Sequence, residues 1–188
     1  MPPKVKVEKD DILKAAIEIV RDNGAGSLNA RAVADKLSCS TQPIFSNYAS
    51  MDELKKCVLD QAEKIYLDYI YKGMQSREFP PYKASGMAYI RFAKEEKELF
   101  KLLFMRDRSN EKIKGTAEGE DIIALIQKNT GLDKEQAFMF HLEMWVYVHG
   151  IAVMTATSYL EWDWDMISRM LTDAYNGLKT TYLGKESN

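Results

Sequence analysis

The chain has 188 residues, 46% of them hydrophobic and 29% charged, and 26 Lys+Arg against 28 Asp+Glu leave a net charge of −2. This describes one soluble globular domain or two small ones with a substantial core, and it excludes a disordered chain. It also excludes a surface basic throughout, and two Cys (Cys39, Cys57) with two His (His141, His149) are too few for the usual zinc-ligand spacings.

No apolar run follows Met1-Pro2-Pro3-Lys4, so no signal peptide is expected. Leu13, Ala16, Ile17 and Val20 form one apolar stripe at helical spacing, and Gly24 stops that first helix. Asn29 caps a short second helix that turns Val33, Ala34 and Leu37 inward. Ser38-Cys39-Ser40 makes a turn, and Ser40 is expected to cap a third helix, Thr41 to Tyr48, with Pro43 in its first turn. Ser50-Met51-Asp52-Glu53 reads as a capping box for a long fourth helix that ends near Gly73. Pro80-Pro81 precedes a helix from Tyr82 to about Lys97, and Leu99 to Met105 forms a short aromatic helix. Ser109 to Gly119 reads as loop or helix start, and Asp121 to Asn129 as a helix closed by Gly131. Long helices follow over Lys134–Tyr159 and Asp165–Tyr182. No strand pattern, repeat or low-complexity tract appears, so the fold class is all-α.

Residues 137–160 carry one formal charge, Glu143, over a length that could span a bilayer. Both flanks are acidic (Asp133, Glu135; Glu161, Asp163, Asp165), with Lys134 the only base close by, against the positive-inside pattern. A helix buried on all sides within a soluble protein is therefore expected, with no membrane partner.

Three short helices with a tight turn between the second and third are the helix-turn-helix arrangement, whose third helix enters the DNA major groove. Thr41, Gln42, Ser46 and Asn47 on that helix are short and polar. Gln and Asn pair with adenine edges, and Thr meets the thymine methyl. Ile44 and Phe45 either pack inward or reach a thymine methyl. The helix N-termini at Asn29 and Ser40 offer amides to phosphates. Charge support is slight, because residues 1–48 hold seven bases against six acids. The residue pattern alone leaves a protein-contact module open beside a DNA reader.

The stretches Ile12–Ala16, Gly24, Asn29–Leu37, Ser40–Tyr48 and Met51–Leu54 resemble the DNA-binding domain of TetR/AcrR-family regulators over about the first third of the chain. Trp145-Val146-Tyr147-Val148-His149-Gly150 is similar to a branch of that family with a Trp-x-x-x-His-Gly helix. The chain departs from the family with Phe45 where Tyr is usual and Met51 where Lys is usual, and Lys55 lies one turn on as a substitute phosphate contact. Asn29 stands at the second-helix cap where the family usually has Thr.

The resemblance implies a helix-turn-helix DNA-binding domain over residues 1–49 and a larger helical ligand-binding and dimerisation domain over 50–188. It implies a cytoplasmic homodimer, most simply a repressor released from a palindromic double-stranded operator by a small molecule. Two other outcomes stay open: an activator of the same fold, and a ligand-binding protein that has lost DNA binding. The expected DNA contacts are Lys4, Asn29, Arg31, Ser40, Thr41, Gln42, Pro43, Ser46, Asn47, Tyr48 and Lys55. Phe92, Phe100, Phe104, Met105, Trp145 and His149 are expected to line a site for an apolar or aromatic effector. Met144, Val148, Ile151, Tyr159, Met170, Ala174 and Leu178 are expected at the dimer interface. No phosphate loop, nucleophile elbow or metal motif is present, so no catalytic residue, metal or cofactor is expected.

Overall fold

The computed structural model describes residues 7–107, Ser109 and 118–184. Among them lie nine α-helices and no strand: α1 (Lys9–Asn23), α2 (Ala30–Lys36), α3 (Gln42–Asn47), α4 (Met51–Gln75), α5 (Pro81–Glu95), α6 (Lys97–Phe104), α7 (Glu118–Thr130), α8 (Lys134–Ala156) and α9 (Trp164–Gly184). The expected loop or helix start over Ser109–Gly119 lies almost wholly outside the described residues, as does Lys4. The fold is all-α. The chain divides into two compact units, one running to Leu67 and adding Glu96–Arg106, the other holding Asp68–Glu95 and the rest from Asp107.

In the first unit α1 is the central element. Its Ile12, Ala16 and Val20 are fully buried, and it packs on α2, α3 and α6. Gly24 closes α1 at φ +78°, a left-handed conformation that glycine adopts without strain. The Arg21 guanidinium holds Glu96 through two charge-assisted hydrogen bonds of 2.8 Å, tying α1 to the start of α6. Asn29 caps α2 by accepting from the Ala32 amide at 3.0 Å. Ser40 does not cap α3. Thr41 occupies the N-cap position, with helical dihedrals and no side-chain cap, and the preceding α2–α3 turn carries Ser38 at φ +51°. Ser50 does cap α4, accepting from the Glu53 amide at 3.2 Å, while the Glu53 carboxylate takes the Ala49 amide.

In the second unit α8 packs on α5, α7 and α9. Ile122, Ile126, Leu132, Ala137, Phe140 and Met144 make a core cluster, flanked by Tyr82, Tyr175 and Tyr182. Asp133 and Gln136 form a reciprocal capping box that starts α8. α4 ends at Gln75, two residues past Gly73 and close to the expected end. Gly73 is where α4 approaches α5, since a Cβ there would lie 2.5 Å from the Ala88 Cβ.

α8 is not buried on all sides. Phe140, Met144, Val148, Ile151 and Ala152 face the core, while Phe138, Leu142, Val146 and Met154 are exposed. It is the one helix among the described residues long and apolar enough to cross a membrane, and 33% of its most apolar stretch is buried within the chain. A helix apolar on every face carries no period from which to tell its inner from its outer side.

Candidate functional site

The helix-turn-helix surface is built from α2, the turn at Ser38 and α3. Ile44 is fully buried and anchors α3, with Tyr48 one turn on also buried, so α3 has one inward stripe and one outward face. Gln42, Phe45 and Ser46 are exposed on α3, and Arg31 and Ser40 are exposed beside them. Thr41 and Pro43 are half-buried. The Ser46 hydroxyl donates back to the Gln42 carbonyl at 2.9 Å, which leaves its oxygen able to accept. Asn29 spends its side-chain oxygen on the cap, and its amide donates to the Ser27 carbonyl at 3.2 Å. Lys55 is exposed and sits 3.5 Å from Asp52 one turn back.

Two of the expected DNA contacts have hydrogen-bond partners inside the protein. Tyr48 is 1% exposed, and its hydroxyl donates to the Lys9 carbonyl at 3.1 Å. Burial pushes its pKa up to about 12. It therefore fixes the end of α3 against the start of α1. The Asn47 amide donates to the Pro43 carbonyl at 2.8 Å and lies 3.5 Å from the Val7 carbonyl, so it closes α3 and engages the segment before α1.

The expected effector residues fall in both units. In the first, Phe100 is fully buried and stacks at a tilt on half-buried Phe104, whose edge also meets Tyr66 at 5.2 Å. Met105 is exposed. In the second, Phe92 is fully buried in edge contact with Tyr69. Phe92 and Phe100 are core residues. Trp145 is 41% exposed and lies parallel to the His149 ring, 4.9 Å centre to centre. The Tyr89 hydroxyl is 2.9 Å from His149 Nδ1. A second pair repeats the arrangement, with the Tyr82 hydroxyl 3.1 Å from His141 Nδ1. Burial lowers the pKa of both histidines, which keeps them neutral at pH 7.

A groove of about 350 Å³ lies within the second unit, between α4 and α5. Tyr69, Gly73, Phe79, Met87 and Arg91 are among its walls, and none of the expected effector residues is.

Of the expected interface set, Met144, Val148 and Ile151 are interior, packed in the subunit's own core. Ala174 and Leu178 are half-buried against the α7–α8 cluster. Tyr159 is exposed and Met170 half-exposed. Exposed apolar residues of these two helices include Val146 and Met154 on α8 and Met166 on α9.

The family described as Tetracyclin repressor-like, C-terminal domain, matches residues 82–175, half of the chain. The chain belongs to the TetR family. Solved structures share the TetR-family fold at low identity. A TetR-like transcriptional regulator from Rhodococcus sp. RHA1 is 14% identical with a TM-score of 0.61, and the match covers 100% of this chain and 99% of that one. A TetR-family member from Streptomyces coelicolor A3 is 18% identical with a TM-score of 0.60, covering 88% of this chain and 96% of that one. The multidrug binding protein EbrR, complexed with imidazole, is 19% identical with a TM-score of 0.59, covering 88% of each chain. A comparison with curated proteins finds no match.

Within this TetR-family chain, Tyr82, Tyr89 and His141 are the residues that sequence reasoning left out. Tyr82 and Tyr89 are seven apart on α5, close to two helical turns, and His141 and His149 eight apart on α8, a little over two. Two tyrosines and two histidines at about two-turn spacing were the available signal.

Proposed function

We propose that this TetR-family regulator is a repressor whose α3 reads a palindromic operator and whose second unit binds an apolar or aromatic effector. Membership in the family makes the chain a ligand-responsive DNA-binding transcriptional regulator. The observation that carries the finer reading is the sorting of α3. Ile44 and Tyr48 seal it inward, and Gln42, Phe45 and Ser46 stand outward beside exposed Arg31 and Ser40. Gln42 offers paired donor and acceptor to adenine, while Arg31 and Lys55 supply charge for phosphates. Residues 1–49 form the DNA-binding domain, and the remainder senses and dimerises. Trp145 offers a flat apolar surface to the effector. The exposed apolar stripe of α8 with Met166 of α9 is the surface a second copy covers, which supports a homodimer. An effector acts by binding one dimer geometry better than the other.

The test is a mobility shift on the promoter region of the protein's own gene, from about 50 to 200 mM salt, with and without extracted metabolites. Specific binding weakened by the extract is expected. Binding no tighter than to unrelated duplex at every salt contradicts the reading.

A further inference from the structure

The sequence leaves the two apolar residues of α3 equivalent, and the structure separates them. Ile44 is 0% exposed, whereas Phe45 beside it is 51% exposed on the face shared with Gln42 and Ser46. An outward phenylalanine in a six-residue helix exposes apolar surface at a cost, with no core to receive it. Its ring has neither hydrogen-bond donor nor acceptor, so it can read only apolar features. The one apolar group on a base edge in the major groove is the C5-methyl of thymine.

We propose that Phe45 is a specificity-determining residue that reads a thymine methyl in each operator half-site. Gln42, one turn earlier on the same face, reads an adjacent base by hydrogen bonding. The division of labour follows from the chemistry: the amide selects by donor and acceptor pattern, the ring by a methyl group. This inference rests on the DNA-binding reading and names what that site recognises.

The experiment uses the full chain and the duplex that it selects from a randomised pool. Each thymine is replaced in turn by deoxyuridine, which removes the methyl and leaves every hydrogen bond intact. Wild-type protein is expected to lose about fourfold in affinity at one thymine per half-site, the worth of one buried methyl group, and about 15-fold when both half-sites are changed. Phe45→Ala is expected to bind the parent duplex more weakly and to show no loss at that thymine. Phe45 is exposed, and an unchanged melting midpoint will separate a binding defect from a folding one. Equal deoxyuridine penalties for wild type and Phe45→Ala, or no penalty for either, overturn the inference and leave DNA binding standing. Failure to select any duplex overturns both.

Discussion

The Tyr89 hydroxyl lies 2.9 Å from His149 Nδ1, and Tyr82 stands in the same relation to His141 at 3.1 Å. These two rungs join α5 to α8 with neutral imidazoles. Burial holds both folded-state pKa values below the ordinary 6.5. The unfolded chain therefore takes up these protons first as pH falls. Stability from this source is fully present above about pH 6.5 and is lost as pH drops through the folded-state values. Denaturant midpoints measured from about pH 7.5 down to 5 will fall in wild type, and the fall will be shallower in His141→Asn/His149→Asn. Parallel profiles for the two proteins count against this assignment.

Ser38 holds φ +51° in the turn between α2 and α3. A left-handed conformation costs a non-glycine residue on the order of 1 kcal/mol. Ser38→Gly relieves that strain and gives back part of the gain through a more flexible unfolded chain. The net expectation is about 0.5 kcal/mol of added stability, seen as a melting point raised by about 1–2 °C. A lowered melting point refutes the strain argument.

Gly73→Ala tests the α4–α5 approach, and its sign is informative. In an ordinary helix interior Gly→Ala stabilises by roughly 0.5–1 kcal/mol. Here the new methyl would lie 2.5 Å from the Ala88 Cβ, so the helices must part. Overpacking of this kind costs about 1–3 kcal/mol, so the variant is expected to lose about 1–2 kcal/mol in urea unfolding. Gly73→Ala/Ala88→Gly should recover most of the loss. A more stable single variant shows that the two helices do not meet this closely.

Val146 is 59% exposed in the outward stripe of α8. If a second copy covers that stripe, Val146→Glu buries an unpaired charge at the interface and breaks the dimer. Sedimentation should then shift from dimer to monomer while helical content stays unchanged. A variant that sediments as wild type moves the interface elsewhere.

The helices were legible because their caps and breakers are local. Gly24, Asn29, Ser50 and Gly131 each act within a few residues of where they stand. α4 ends within two residues of Gly73, but the packing of Gly73 on Ala88 of another helix is a tertiary contact that no local pattern shows. The DNA face was half legible. Residue type marks Gln42 and Ser46 as polar, but nothing in type says that Tyr48 and Asn47 are spent on the Lys9 and Pro43 carbonyls. α8 was hardest. It is apolar all round, so Met144 and Val146 look alike in sequence, although one is interior and the other exposed.

The central claim is that α3 reads DNA through its outward side chains. The most direct measurement is a footprint of the purified full chain on the promoter region of its own gene, with wild type beside Gln42→Ala. Two protected half-sites about 34 Å apart, lost or weakened at least fivefold in Gln42→Ala, are the predicted result. Protection that is uniform along the duplex, or identical in the two proteins, would contradict it.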